Sequence, residues 1–131
     1  MMEKMLELNH KKMKAWQYAI ELVYQVQLLC HSLPAQERNV LVGQLKRAAL
    51  SVSNNIAEGA ARSSAYERKR FYEIARSSCV EVDNCFEIIL RLSYVQPLQL
   101  EECLKYNDQI FRLLSKMIDS TIQQGKPPKG S

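Results

Sequence analysis

The side chains best equipped for chemistry in this sequence are basic. Arg62, Arg68, Lys69 and Arg70 crowd one short stretch, with Arg76 downstream and Lys46 upstream. Guanidinium and ammonium groups neutralise phosphate oxygens whatever the base sequence, so this set is a candidate nucleic-acid contact surface; a solvated charged face is the competing reading. Tyr66 and Tyr72 stand among the cations, and their rings either stack on unpaired bases or pack against a neighbouring helix.

A second constellation is polar and periodic. Gln44, Arg47, Ser51, Asn55, Glu58 and Arg62 recur at steps of three or four residues, which places them in one line along a helix. Glu81, on a later segment, is a carboxylate that such a line could meet. A hydrogen-bonded network of this kind fixes register between helices or between subunits, and the plainer alternative is a face turned to water.

The residues that usually carry catalysis are sparse. His10 and His31 would lie about 30 Å apart on a continuous helix, too far to share a site. No Glu-x-x-His pair of the kind that builds di-iron sites in helical bundles occurs, and Gly43 and Gly59 stand alone rather than in a phosphate-cradling loop. Cys30, Cys79, Cys85 and Cys103 lack the close C-x-x-C spacing of zinc or redox sites, and on a helix Cys79 and Cys85 point about 240° apart. The expectation is a protein without catalytic residues, metal or cofactor, with four buried thiols in a reducing, cytoplasmic setting. The first residues mix Glu3, Lys4, Glu7 and Lys11 among methionines, unlike a signal peptide, and no run of about 20 apolar residues is present to span a bilayer.

The elements that must position these residues are helices. With 131 residues, 47% of them hydrophobic, and only four glycines and four prolines, the chain suits one helix-rich domain over 1–124. Trp16, Ala19, Ile20, Val23, Gln27 and Cys30 mark a helix over 11–33, closed by Pro34. Leu41, Leu45, Ala48, Val52 and Ile56 mark a second over 35–58, with Gly59 as its left-handed cap. Ser64 followed by Glu67 is a capping box that opens a third helix over 64–92, whose stripe is Phe71, Ile74, Ala75, Ser78, Val82, Cys85, Ile89 and Leu92. Pro97 opens a fourth over 97–124, carrying Leu100, Leu104, Phe111, Leu114, Ile118 and Thr121. Gly125 and two prolines end it, and 125–131 reads as a disordered tail. Short links make an all-α, antiparallel up-down-up-down four-helix bundle the economical arrangement.

The first helix has more apolar circumference than a surface helix needs. Beside the Trp16, Ile20 and Val23 stripe, Tyr18, Leu22, Val26 and Leu29 widen the apolar side to roughly 200°, against the usual stripe of little more than 100°. Either this helix is the most buried of the four, or Tyr18, Leu22, Val26 and Leu29 form an oligomer interface.

The ordered run from Gln44 through Asn54, Asn55, Ile56, Ala57, Glu58 and Gly59 to Arg62 closely resembles the signature of the 23S rRNA intervening-sequence proteins. These are a family of small bacterial four-helix bundles. The resemblance extends to Trp16, Leu22, Tyr24 and Leu33-Pro34 upstream, and to Phe71, Ile74, Ala75, Ser78, Glu81 and Leu92-Ser93-Tyr94 downstream. It departs from the family pattern at Ser77, where glycine is common, and at Val82, where leucine is usual. The resemblance implies a homo-oligomer, a pentameric barrel like those of the similar accessory variability proteins of diversity-generating retroelements. It also implies a nucleic-acid connection, to RNA or DNA.

Charge is distributed in a way that suits such a partner. From Arg38 to Arg76 there are eight basic residues against three acidic, and from Ser77 to Gln124 four basic against seven acidic, within a formal net charge of +4. The chain is electrically lopsided. The basic edge between the second and third helices would seat structured RNA, or alternatively an acidic protein for which this chain is an adaptor.

Overall fold

Four long helices carry the chain. The computed structural model describes residues 4–125, with side chains to residue 122, and the tail expected to be disordered lies, beyond Gly125, outside the described residues. In order, α1 spans Lys14–Cys30, α2 Gly43–Ala60, α3 Ala65–Arg91 and α4 Glu101–Gly125, and there is no strand among the described residues.

Each helix ends for a local reason. A separate 3-10 turn, Asn9–Lys12, precedes α1 in place of the expected early start, because Met13 is extended (φ −80°, ψ 130°) and breaks the ladder. The far end of α1 tightens into i to i−3 bonds, from Ser32 N–H to Leu29 C=O at 2.9 Å and Leu33 N–H to Cys30 C=O at 3.2 Å, before Pro34. The expected single helix over 35–58 is three pieces: a 3-10 turn at Ala35–Glu37, a π turn at Arg38–Val42, and α2 itself. The Ser64 hydroxyl accepts the Glu67 N–H at 3.1 Å and so caps α3. At the other end Ser93 takes the left-handed conformation (φ 59°), with Ser93 N–H on Leu90 C=O at 3.0 Å and Tyr94 N–H on Ile89 C=O at 3.2 Å. This is a Schellman closure in which serine occupies the place usually taken by glycine. Pro97–Leu100 is a 3-10 turn leading into α4.

The helices pack in the cyclic order α1, α2, α3, α4 and back to α1. Ser51 meets Ser78 while Gly59 meets Tyr72, so α2 and α3 run in opposite directions. Arg76 meets Ser115 while Cys79 meets Asn107, so α3 and α4 also run in opposite directions. The all-α bundle expected from the sequence is therefore present.

One core fills it, built from Leu22, Val26, Leu45, Val52, Ile56, Val82, Phe86, Ile89, Leu100, Ile110 and Leu114, all at most 1% exposed. Fully burying a side chain of this size stabilises by about 1.5–3 kcal/mol before conformational entropy is set against it. The expected stripe of the second helix is buried throughout, and those of the other three are buried in part. Ile20 and Gln27 of α1 face water, as do Ile74 and Leu92 of α3 and Leu104 and Phe111 of α4, while Tyr72, Cys79, Phe86, Cys103, Asn107 and Ile110 are inside. The middle helix α3 is flanked by both α2 and α4, and it buries one row toward each.

Gly59 corrects a second expectation. It is a buried residue within α2 and caps nothing; a Cβ there would lie 2.6 Å from Tyr72 Cε1, 2.9 Å from Tyr72 Cδ1 and 3.1 Å from Phe71 Cβ. Glycine is required for close approach, since Tyr72 is only 5% exposed and has little room to withdraw. Gly59→Ala is expected to destabilise by about 1–2 kcal/mol despite alanine's higher helix propensity, and Gly59→Val by more. Urea denaturation checks this, and an unchanged midpoint for the valine variant would show that the two helices can part freely.

Candidate functional site

The polar line on α2 resolves into two separate groups. Along the α2–α3 seam, Asn55 Nδ2 donates to Ser51 C=O at 2.8 Å and to Ser51 Oγ at 3.0 Å, Ser51 Oγ lies 2.9 Å from Ser78 Oγ, and Ser78 Oγ donates to Ile74 C=O at 3.2 Å. One set of donors satisfies every step, from Asn55 to Ser51 to Ser78 to the Ile74 carbonyl, so the chain of bonds is cooperative. At the end of α2, Arg62 and Glu58 form an exposed ion pair at 2.9 Å. Gln44, Arg47 and Glu81 make no hydrogen bond or ion pair among the described residues. Gln44 and Glu81 instead flank an open groove of about 510 Å³ lined also by Glu37, Val40, Asn84 and Ile88. Ser78, on the opposite helix, is the member that the α2 spacing alone could not reveal.

The basic residues gather at the α2–α3 corner only in part. Arg62 lies over the Phe71 ring at 4.8 Å. Arg68 turns back to donate from Nη1 to the Arg62 carbonyl at 3.2 Å and the Ser63 carbonyl at 2.9 Å, so it braces the corner loop. Lys69 pairs with Glu73 at 3.5 Å, and Arg70 is exposed with no hydrogen bond or ion pair among the described residues. Tyr66 is 75% exposed beside them, whereas Tyr72 is buried and unavailable to a base.

Two of the expected basic residues lie elsewhere. Arg76 points toward α4, over the Phe111 ring at 5.9 Å and on Ser115 Oγ at 3.2 Å. Lys46 lines a hollow with Cys30, His31, Pro34 and Arg38 at the opposite end of the bundle, about 24 Å from Arg62 along α2. Helical phase explains both displacements: Arg76 falls on the α4 side of α3, and Lys46 on the α1 side of α2.

Of the two readings of the wide apolar side of α1, burial within the bundle holds for Tyr18, Leu22, Val26 and Leu29, and the oligomer interface does not. Leu22, Val26 and Leu29 are 0%, 1% and 5% exposed within a single chain, and the half-buried Tyr18 ring packs on Tyr106 with centroids 5.9 Å apart. They face the core and α4. The surplus apolar surface is real, but it consists of Ile20, Tyr24 and Leu28, which are 41%, 56% and 45% exposed and form an i, i+4, i+8 row on the side of α1 turned away from the core.

The cysteines are brought together more than their spacing suggested. All four are free and buried, and Cys30 is near enough to Cys85 and Cys103 for charge on one to hold up another's pKa. Burial pushes the Cys79 thiol up to about 12 and is the main cause that lifts Cys103 to about 11; it raises Cys30 and Cys85 as well. Near the same end, Tyr94 Oη donates to Glu37 Oε2 at 2.6 Å, and this bond is the main reason its phenol is held above the ordinary range. Among the described residues no three His, Cys, Asp or Glu side chains converge as a metal-ion set, and no helix is long and apolar enough to cross a membrane.

With this geometry in view, the profile of the 23S rRNA-intervening sequence proteins matches residues 11–116. The chain belongs to that family. No protein of curated function matches it in sequence. A solved structure from Bacteroides thetaiotaomicron, of a protein of unknown function from the S23 ribosomal protein family, superposes with a TM-score of 0.72. It is 23% identical and the match covers 79% of this chain and 97% of that one, so what the two share is the fold.

The thiols give this family member a defined alkaline limit. Their folded pKa values lie above the ordinary 9.0, so their contribution is intact below pH 9 and is lost as pH rises from there toward about 12, where the folded thiol of Cys79 also ionises. From pH 8 to pH 11, Cys79 alone is expected to lower stability by on the order of 2–3 kcal/mol. Urea midpoints measured across that range, with Cys79→Ala flattening the slope, check the assignment.

Proposed function

We propose that this 23S rRNA-intervening sequence protein is a non-catalytic, self-assembling bundle that binds structured RNA at its α2–α3 corner. The observation that carries the reading is the apolar row Ile20, Tyr24 and Leu28 on the outer side of α1, beside a core that is already complete without it. Such a row is costly to leave in water, and covering it with another copy stabilises by roughly 1 kcal/mol per side chain at each contact. Five copies, the number the family resemblance implies, would close a ring and repeat the basic corner around it. Four free thiols fit work in the reducing cytoplasm.

The corner supports the RNA reading through what its ion pairs can give up. Arg62 with Glu58 and Lys69 with Glu73 are partly exposed i, i+4 pairs, a class that contributes about 0–1 kcal/mol, so phosphate oxygens displace the carboxylates at little cost. Arg70 and the open ring of Tyr66 add a cation and a stacking platform at the same place.

Two measurements test the two halves. Sedimentation at micromolar concentration is expected to show a multimer that Ile20→Ser with Tyr24→Ser reduces to the 15.1 kDa chain, with helicity retained. A parent protein that already sediments as one chain overturns the assembly. In a gel shift with a stable RNA hairpin, Arg70→Glu with Tyr66→Ala is expected to weaken retention about tenfold or more. A parent that retains no RNA overturns that half, and capture of an acidic protein from nuclease-treated lysate would replace RNA with a protein partner.

A further inference from the structure

A second surface lies between α3 and α4, away from both the α1 row and the basic corner. Cys79, Val80, Asp83, Leu104, Asn107, Asp108 and Phe111 line an open groove of about 300 Å³. Its walls are apolar and exposed, with Val80 at 57%, Phe111 at 40% and Leu104 at 38%. The charged residues of its lining are both acidic, with Arg76 over the Phe111 ring at 5.9 Å as a neighbouring cation: Asp83 makes no hydrogen bond or ion pair among the described residues, and Asp108 pairs with the exposed Arg112, 2.9 Å away. Beneath them is an unmet acceptor. Asn107 is 6% exposed, its Nδ2 donates to the Cys79 carbonyl at 3.0 Å, and its Oδ1 has no donor among the described residues.

A buried carbonyl oxygen without a donor costs about 1–3 kcal/mol, and because Oδ1 is closed off from solvent a groove-bound N–H removes that cost by shifting the Asn107 amide toward the groove. The group that fits all three features has a long apolar stem and a cationic, donor-bearing head. We propose that the α3–α4 groove docks a basic segment of a protein partner, seating a lysine or arginine side chain. The stem lies along Val80, Leu104 and Phe111, and the head lies among Asp83, Asp108 and the Asn107 oxygen. Charge complementarity selects the partner. The chain as a whole carries +4, so a basic peptide gains nothing from long-range attraction and must recognise the local negative field of the half from Ser77 to Gln124. This surface is independent of the assembly and RNA readings.

Fluorescence anisotropy with a labelled nonapeptide of alternating lysine and leucine tests the proposal on the full chain, with a glutamate–leucine peptide as control. Saturable binding of the basic peptide alone is expected, weakened about fivefold or more by Asp83→Asn and by Val80→Ser and left unchanged by Arg70→Glu. Competition by excess spermidine without the peptide's leucine requirement would show a site for small polyamines and overturn a protein partner. Asn107→Leu separates a binding role from a structural one. Loss of peptide affinity with an unchanged or higher melting temperature supports the groove. Lowered stability with full affinity makes Asn107 a packing residue and overturns its part, and equal binding by parent, Asp83→Asn and Val80→Ser overturns the whole.

Discussion

The closeness of α2 to α3 is the constraint on which the other contacts rest. Gly59 lets the Tyr72 ring lie against the α2 backbone, and farther along the same seam Ser51 and Ser78 are small enough to hydrogen-bond directly. A larger residue at any of these places would force the helices apart, and the Asn55–Ser51–Ser78 chain would lose its geometry because hydrogen bonds weaken steeply with distance. The core benefits as well, since Val52, Ile56, Ala75 and Val82 are fully buried only while α2 and α3 stay in register. Polar bonds at the seam thus specify a single alignment for a core that, being apolar, would accept neighbouring alignments at modest cost.

Around this pair the remaining helices are arranged with unequal demands. α4 completes the far side of α3, and α1 closes the bundle between α4 and α2. On α1 apolar residues lie straight across the diameter in a continuous row, with Leu22 and Val26 inward and Ile20, Tyr24 and Leu28 outward. A helix of that kind is expected where two hydrophobic layers meet, which is why its outer row bears on how copies of the chain meet one another.

Much of this was legible before the structure. Helix number and order followed from periodicity, and the Ser64–Glu67 pair marked the start of α3 to the residue, because capping is a local interaction written in adjacent side chains. Which side of α1 faced the core was not legible. An almost continuous apolar circumference leaves the choice to tertiary packing, so Leu22, Val26 and Leu29 fit a core and an oligomer interface equally well in the sequence, and they are the core. Gly59 was misread for a related reason: glycine near a helix end signals a left-handed cap when only sequence is considered, and the ring that demands it, Tyr72, comes from another helix. The basic cluster was legible as composition, but the separate directions of Lys46 and Arg76 depend on helical phase relative to neighbours that sequence does not place.

The π turn at Arg38–Val42 has a consequence for how this chain tolerates change in length. A π turn holds one residue more than an α turn, and here it joins a 3-10 turn, which holds one fewer, to the start of α2. The connection therefore contains slack in both directions. Loss of one residue there would let the segment relax into ordinary α-helix without rotating Leu45, Ser51 or Gly59 away from α3, whereas the same loss inside α2 would swing every later side chain by about 100°. A change of length in this chain is thus more readily absorbed at this junction than anywhere along the seam it leads into.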